Sequence, residues 1–199
     1  VAEGENEEVD ESHAIKPRFV YEISKYVSER LIQAASNRDL TYTIARLVNV
    51  APLFKSSVQK SPCAGIVPIW TNKVLKGAEI EVFANFDEAK LSFVYVKDVL
   101  KILKRFAQQR YKNSIYNVSA NEKITVKGLL ALIEKISGKQ AQRTILPQEG
   151  YKDNVAGNAL FVNRKLISDM KIEIAGLEKI IEETVGPIRP NKKETSSPM

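Results

Sequence analysis

The spacing of apolar residues along this chain predicts six amphipathic helices. Apolar side chains return every three or four positions, as one face of an α-helix requires, over residues 19–36, 66–76, 96–110, 125–138, 163–168 and 175–185. The first helix has a predicted buried stripe made of Ile23, Val27, Leu31 and Ala34. The third has a predicted apolar face made of Val99, Ile102, Leu103 and Phe106. The fourth has Thr125 as its predicted N-cap residue and an inward face made of Val126, Leu129, Leu130, Ile133 and Ile136.

Short runs of β-branched and aromatic residues between polar turns predict strands. They cover residues 40–48, 79–83, 91–95 and 114–118, with a further strand near 144–146. Residues 1–18 are polar and acidic, residues 49–65 are rich in proline and serine, and both stretches are predicted as loops. An apolar strand that directly follows a helix is typical of an α/β unit. The sequence therefore predicts an α/β fold with a parallel sheet.

Composition and charge are those of an ordinary globular protein. Of the 199 residues, 44% are hydrophobic and 27% are charged. No apolar run reaches the roughly 18 residues that a membrane-spanning helix needs, so no membrane association is expected. Residues 1–11 contain six acidic residues and no basic one, so the rest of the chain, with 30 basic and 18 acidic residues, has a formal charge of +12. This basic body favours phosphate-bearing ligands. Because the lysines are scattered rather than clustered, nucleic acid is not an expected partner.

The numbers of cysteines and histidines indicate the redox compartment and whether a metal site is expected. Cys63 is the single cysteine and His13 the single histidine. One cysteine excludes an intramolecular disulfide and favours a reducing compartment, so a cytoplasmic location is expected. One cysteine and one histidine are too few for a zinc-type metal site, and no metal is expected. His13 lies in an acidic loop, where a solvated side chain is the expected state.

One short motif carries candidate chemistry, because Tyr21 and Lys25 are four residues apart on the first predicted helix. Side chains at that spacing lie on one helix face, with Cβ atoms about 5–6 Å apart. A free tyrosine has a pKa of about 10 and is a poor base at neutral pH. A lysine ammonium beside it stabilises the phenolate, which lowers that pKa and lets the phenol exchange a proton with a substrate hydroxyl. A Tyr-x-x-x-Lys pattern also arises by chance, so a simple surface pair is the alternative interpretation.

Several further segments, in order along the chain, carry a resemblance. They are Glu11-Ser12-His13-Ala14-Ile15-Lys16-Pro17 before Tyr21-x-x-Ser24-Lys25, then Ser28-Glu29-Arg30-Leu31, Ala45-Arg46-Leu47-Val48-Asn49-Val50, Phe93-Val94-Tyr95-Val96-Lys97-Asp98-Val99, and Tyr116-Asn117-Val118 with Ile124-Thr125-Val126. Together they resemble the extended short-chain dehydrogenase/reductases, in the branch of NAD-dependent nucleotide-sugar epimerases and dehydratases. The resemblance implies an α/β chain that is the C-terminal part of a Rossmann-like parallel-sheet fold with a small α/β substrate-binding portion.

The resemblance also implies an NAD or NADP cofactor, a nucleotide-sugar substrate and roles for individual residues. Tyr21 would be the acid/base that takes a proton from a sugar hydroxyl in a reversible hydride transfer. Lys25 would assist Tyr21 and hydrogen-bond the nicotinamide ribose, so both residues would be catalytic and cofactor-binding. Asn49 would contact the substrate diphosphate, although capping of a strand end is an equal alternative. Segments 66–76 and 79–93 would form much of the nucleotide-sugar pocket.

Three features depart from the family pattern. The family's glycine-rich turn, which holds the dinucleotide pyrophosphate at a helix N-terminus, has no counterpart here, so the chain is expected to begin after the family's first half. Leu91 stands where the family usually has an arginine, and no Arg-Pro-Gly-Asp-like segment occurs between residues 143 and 163. Those arginines pair with substrate phosphates, so Lys90 or Lys152 would have to substitute, as point charges.

The expected organisation has three parts. Residues 1–62 would be the remainder of the NAD(P)-binding domain, residues 63–186 would be mainly the substrate-binding portion, with some segments returning to the Rossmann sheet, and residues 187–199 would be a disordered tail. The resemblance implies a homodimer for the intact protein and no catalysis by these 199 residues alone. By themselves they would expose an apolar helix face and sheet edge.

Two alternatives stay open at this point. An NAD(P)-dependent reductase or dehydrogenase of a hydroxy or keto substrate without phosphate would need no phosphate clamp, which fits Leu91. A non-catalytic scaffold on the same fold is the other alternative, since a fold does not fix a function. Replacement of Tyr21 by Phe would separate an enzyme from a scaffold.

Overall fold

Six helices and ten strands form in the part of the chain that the structure describes. That part of the computed structural model comprises residues 8–17, 19–52, 65–84, 86–108, 111–147 and 159–185. The helices are α1 (Val20–Ala35), α2 (Ile66–Lys76), α3 (Val96–Phe106), α4 (Val126–Ser137), α5 (Arg164–Met170) and α6 (Leu177–Val185). The strands are β1 (Glu8–Val9), β2 (Thr43–Leu47), β3 (Asn49–Ala51), β4 (Glu79–Phe83), β5 (Lys90–Leu91), β6 (Phe93–Tyr95), β7 (Ser114–Val118), β8 (Ile124–Thr125), β9 (Gln142–Leu146) and β10 (Leu160–Phe161).

Most of the strand pairing is parallel. β1 pairs with β10, β2 with β7, β3 with β6 and β4 with β9 in parallel, whereas β5 and β8 are antiparallel. Each parallel pair joins strands that are distant in sequence, because parallel strands need a long crossover that helices here supply. The predicted α/β class with parallel pairing is confirmed. No sequence pattern marks β1, which lies in a stretch predicted as loop.

Several predicted elements have the bounds that the sequence indicated. α2, β4 and β7 match the predictions residue for residue, and α1 is one residue shorter at each end. Gly77 ends α2 with a φ of 67°, a left-handed conformation that glycine adopts without strain. The predicted strand 40–48 is β2, and β3 follows after Val48. The third helix ends at Phe106 and not at residue 110.

The larger apolar core lies between α2, α4 and α6 and the strands beneath them. α4 contributes Leu129, Leu130 and Ile133, each at most 1% exposed, as predicted. The Thr125 hydroxyl accepts the N–H of Gly128 at 2.9 Å, which confirms the predicted N-cap. Facing side chains come from α2 and α6, including Val67, Val74, Ile180 and Ile181.

A second core cluster joins α3, β6, β7 and α5. Its buried members are Val94, Val99, Ile102, Tyr116, Val118, Leu166 and Met170. Phe106 packs beside Tyr116 with ring centroids 5.4 Å apart. Leu103, predicted on the apolar face of α3, is 45% exposed, so that assignment is wrong. The helix packs on one side only, and Leu103 lies beyond the edge of the buried stripe.

The predicted buried stripe of α1 is wrong in the described part of the chain. Ile23, Val27, Leu31 and Ala34 are all exposed, Leu31 to 65%. The face that turns toward the body instead carries the half-buried residues Glu22, Tyr26, Glu29 and Gln33. An ion pair and polar loop contacts hold that side of the helix, so polar residues point inward. The exposed apolar helix face that is expected of these residues by themselves is therefore present.

Some predictions fall outside the described residues. Cys63, Lys152 and the tail 187–199 lie there. Within the described ranges, no helix combines the length and the apolar character needed to cross a bilayer.

Candidate active site

Tyr21 and Lys25 lie side by side on the exposed face of α1, as the sequence predicted. The Lys25 Nζ atom is 5.3 Å from the centroid of the Tyr21 ring, within cation–π range. The Tyr21 side chain is 71% exposed and Lys25 is also exposed. Among the described residues, neither the phenol oxygen nor the ammonium has a hydrogen-bond partner. Both polar ends are therefore available to a ligand.

The first turns of α1 fix where this pair stands. Phe19 occupies the N-cap position, and its backbone N–H donates to the Glu22 carboxylate at 3.5 Å. This is the contact that the N3 glutamate makes in a capping box. A phenylalanine ring offers no acceptor, so Phe19 itself caps nothing. The Ser24 hydroxyl donates to the Tyr21 carbonyl at 2.7 Å, and the Ser28 hydroxyl donates to the Ser24 carbonyl at 2.8 Å. Tyr21 and Lys25 are one turn apart because they are four positions apart in this helix.

A mostly apolar cavity of about 170 Å³ lies beneath α1. Lys25, Tyr26 and Glu29 line it from the helix, and Arg46 lines it from β2. The turn after β1 closes another side with Asp10 and His13, together with Val9, Ala14 and Ile15. The cavity therefore connects the candidate catalytic helix with β2 and with the segment that follows β1.

The turn Asp10–His13 is held by hydrogen bonds to the Asp10 carboxylate. The Ser12 hydroxyl donates to it at 2.6 Å and the His13 Nδ1 atom lies 3.0 Å from it. These contacts lower the pKa of Asp10 to about 2, with the Ser12 hydroxyl as the largest cause and His13 second. His13 is thus part of a structured turn and not a freely solvated loop residue.

Asn49 stands at the start of β3. Its Nδ2 donates to the Ser92 carbonyl at 3.0 Å, which ties β3 to the segment between β5 and β6. The residue is exposed overall, and its Oδ1 accepts no hydrogen bond from the described residues. α2 begins next to this strand, since a Cβ placed on Gly65 would lie 3.9 Å from the Val50 carbonyl.

Two lysines flank the position where Leu91 replaces the family's arginine. Leu91 pairs with Ile124 and Lys90 with Thr125 across the β5–β8 ladder. The pKa of Lys123 is lowered, first because burial disfavours its charge and second because Lys90 is close. Both lysines are half-buried. Lys90 places positive charge two residues from Ser92, the residue that Asn49 contacts.

Metal binding finds no support in the described ranges. No group of three or more His, Cys, Asp or Glu side chains there is arranged to hold a metal ion. The absence of a metal stays a prediction.

Sequence reasoning missed the residues that anchor α1. Arg46 of β2 contacts the Glu29 carboxylate through Nε at 3.0 Å and Nη2 at 2.8 Å, and its Nη1 reaches the Glu11 carbonyl at 3.3 Å. The Glu11 carboxylate in turn accepts the N–H of Asn117 on β7 at 2.7 Å. Glu11, Glu29 and Arg46 all lie in motifs that carried the family resemblance. An arginine in an apolar strand was the available signal, because it needs a partner.

A model of the NAD dependent epimerase/dehydratase family matches residues 1–119 of the sequence, more than half of the chain. This chain belongs to that family. Its members are NAD-dependent enzymes by the family description, so the predicted family, enzyme class and dinucleotide cofactor are confirmed at that level.

Relatives of this family member include nucleotide-sugar enzymes. A protein from Methanocaldococcus jannaschii with the provisional name UDP-glucose 4-epimerase is 30% identical over 144 residues, covering 71% of this chain and 45% of the relative. The crystal structure of UDP-glucose 4-epimerase from Thermotoga maritima with UDP-glucose has a TM-score of 0.79 and 27% identity, covering 94% of this chain and 59% of that one.

A third relative has a fold similar to that of this chain. UDP-glucose 4-epimerase from Thermus thermophilus, solved with NAD, has a TM-score of 0.78 at 23% identity and covers 96% of this chain and 60% of that one. The Rossmann-like α/β fold is thus confirmed. The chain spans about half the length of the curated relatives it matches.

Proposed function

We propose that this chain is part of an NAD(P)-dependent epimerase or dehydratase acting on a nucleotide sugar, with Tyr21 as acid/base and Lys25 as its assistant. The observation that carries the proposal is the contact between the Tyr21 ring and the Lys25 ammonium on an exposed helix face. Family membership supports the reaction class, and the UDP-glucose complex of a structural neighbour supports the substrate class.

The residues present fit one end of a dinucleotide, the nicotinamide and its ribose. The phenol and the ammonium are exposed and have no hydrogen-bond partner in the described ranges, as contact with ribose hydroxyls requires. When bound, the nicotinamide supplies hydride exchange. Tyr21 would accept a proton from a sugar hydroxyl at its Oη atom and return it in the reverse step. Lys25 would stabilise the phenolate by its charge and orient the ribose.

The substrate phosphates would meet the region around Asn49. The Asn49 Nδ2 atom carries two N–H groups, of which one donates to the Ser92 carbonyl, so the second could donate to a phosphate, and other donors lie near it. α2 begins at Gly65, whose φ of 75° only glycine adopts readily, and the N–H groups of Ile66 and Val67 have no intrahelical acceptor. Such a helix start attracts anions. Lys90 and Lys123 add positive charge at the β5–β8 ladder.

The test is turnover by the whole protein with NAD and UDP-glucose, with and without the Tyr21 hydroxyl. Tyr21→Phe should lower kcat by about 100-fold or more, because loss of a general acid/base typically costs that much. Tyr26→Phe is the matched control, since Tyr26 lies in the same helix but on its half-buried packing side. It should keep turnover within about threefold of the parent protein.

Three outcomes would separate the alternatives. Full turnover in Tyr21→Phe would remove Tyr21 from the mechanism. Reduction of a phosphate-free ketone, with no binding of UDP-glucose, would favour the reductase alternative. An intact protein that turns over no nucleotide sugar and no ketone would favour the scaffold.

Four further expectations stay predictions. We propose the division into residues 1–62, 63–186 and 187–199, and a homodimer as the assembly of the whole protein. The exposed apolar residues of α1, among them Val27 and Leu31, support an association surface, and sedimentation equilibrium would measure the mass. A cytoplasmic location and the absence of a nucleic-acid partner also await measurement.

A further inference from the structure

Arg46 links three parts of the molecule through one guanidinium. Its Nε and Nη2 atoms donate to both oxygens of the Glu29 carboxylate, at 3.0, 3.2 and 2.8 Å, and its Nη1 donates to the Glu11 carbonyl at 3.3 Å. The Arg46 and Glu29 side chains are 21% and 18% exposed, so solvent screens the pair only partly. A guanidinium fork on a carboxylate is among the stronger charged contacts in proteins.

Glu29 is also one helical turn from Lys25. Residues at this spacing are neighbours on a helix, and both side chains line the cavity beneath α1. A lysine followed by a glutamate four positions later can form an ion pair, although this order is the weaker one. In the structure the Glu29 carboxylate faces Arg46, and the Lys25 Nζ atom lies over the Tyr21 ring.

A second carboxylate at helical spacing from Lys25 is Glu22, three positions earlier. Its Oε2 lies 3.5 Å from the N–H of Phe19 at the helix start. Among the described residues, Glu22 and Glu29 of α1 therefore each have another partner, and Asp10, which lines the same cavity, is held by Ser12 and His13. Arg46 binds Glu29 at three distances of 3.2 Å or less.

We propose that Arg46 is a positioning residue, which holds Glu29 away from Lys25 and so leaves the Lys25 ammonium beside Tyr21. The inference rests on the proposed function, in which the Tyr21–Lys25 pair acts as a unit. An ammonium paired with Glu29 would have its charge largely cancelled and would no longer support a phenolate. The planar guanidinium of arginine binds a carboxylate at two points, whereas an ammonium binds it at one. Glu29 is therefore expected to pair with Arg46 in preference to Lys25.

The direct test measures the acetylation rate of Lys25 in the folded whole protein by mass spectrometry. Only the uncharged amine reacts, so an ion pair slows the reaction. Arg46→Met frees Glu29 to pair with Lys25, and acetylation should become about twofold slower or more. The double variant Arg46→Met/Glu29→Gln removes the freed carboxylate and should restore the parent rate. Lys127, which pairs with Asp87 at 2.9 Å elsewhere, is the internal reference.

A role in structure alone predicts a different pattern. If Arg46 only anchored α1, the double variant would be no better than Arg46→Met, because the anchor is missing from both. That result, or an unchanged Lys25 rate in Arg46→Met, would overturn the inference. If Arg46→Met does not fold, Arg46→Lys provides the test, since it keeps the charge and loses the fork. It should slow Lys25 acetylation to a smaller extent, and an unchanged rate there would also overturn the inference.

The pH–rate profile supplies a second readout. Turnover in Arg46→Met should require a higher pH than in the parent protein, and Arg46→Met/Glu29→Gln should return to the parent profile. A protein without turnover in any variant would refute the proposed function. It would leave the acetylation result intact as the test of Arg46, so the two failures are distinguishable.

Discussion

α1 and α4 are both amphipathic by sequence, yet they meet the rest of the chain in opposite ways. α4 buries Leu129, Leu130 and Ile133 almost completely. α1 has no buried residue in the described part of the chain, and its apolar stripe faces outward. One helix is held by apolar packing, which supplies most of the stability of a fold. The other is held by polar contacts, and its apolar side is exposed.

The polar attachment suits a helix that carries the proposed catalytic pair. Arg46 and Glu29 fix the rotation of α1 about its axis because a guanidinium fork binds in one orientation. That rotation turns Tyr21 and Lys25 outward. Apolar packing is less directional and would tolerate rotation more readily. The comparison indicates that the contacts on the inner face of α1 fix the orientation of the helix and bury little apolar area.

The largest predicted effect contrasts one leucine from each helix. Leu129→Ala should lower the free energy of unfolding by about 3 kcal/mol, since it removes a fully buried side chain and leaves a cavity. Leu31→Ala, the same change at a residue that is 65% exposed, should alter it by less than about 0.5 kcal/mol. Urea unfolding followed by circular dichroism measures both. A large loss in Leu31→Ala would show that the apolar side of α1 is covered in the protein studied.

A second contrast concerns two tyrosines. Tyr116 is 1% exposed and donates to Asp169 at 2.8 Å, so burial and then the carboxylate raise its pKa to about 12. The folded state keeps this proton to a higher pH than the unfolded chain, where the value is 10.0. Stability is therefore fully present below pH 10 and falls as the pH rises toward 12. The loss is on the order of 2 kcal/mol.

Tyr116→Phe tests this dependence. The variant should lose the part of alkaline destabilisation that lies between pH 10 and 12. At neutral pH it should be about 1 kcal/mol less stable, because the hydrogen bond to Asp169 is gone. Urea unfolding at several pH values measures the effect. An equal loss of unfolding free energy between pH 10 and 12 in Tyr116→Phe and in the parent protein would contradict the raised pKa of Tyr116.

The sequence predicted the helices well because their apolar periodicity is a local property. α2 and its end at Gly77 follow from spacing and from one glycine, and the cap at Thr125 follows from one side chain. The position of Tyr21 beside Lys25 also follows from helical spacing. None of these predictions needs knowledge of what packs against the element.

Other features depend on partners that are far away in sequence. β1 has two residues and pairs with β10 about 150 positions later, so no local pattern marks it. Periodicity finds an apolar stripe on α1, but it does not tell whether this chain covers that stripe. The Arg46–Glu29 pair likewise joins a strand to a helix. Long-range polar contacts were missed for this reason, whereas apolar core positions in α4 were not.

The smallest predicted effect compares the two helix starts. Thr125→Ala removes the hydroxyl that accepts the Gly128 N–H and should cost about 1 kcal/mol of stability, the usual value of an N-cap. Phe19→Ala at the start of α1 removes no cap, because the ring accepts no hydrogen bond, and should change stability by less than about 0.5 kcal/mol. Thermal unfolding of both variants gives the comparison. If Phe19→Ala costs as much as Thr125→Ala, packing of the Phe19 ring contributes to holding α1, and the helix is not attached by polar contacts alone.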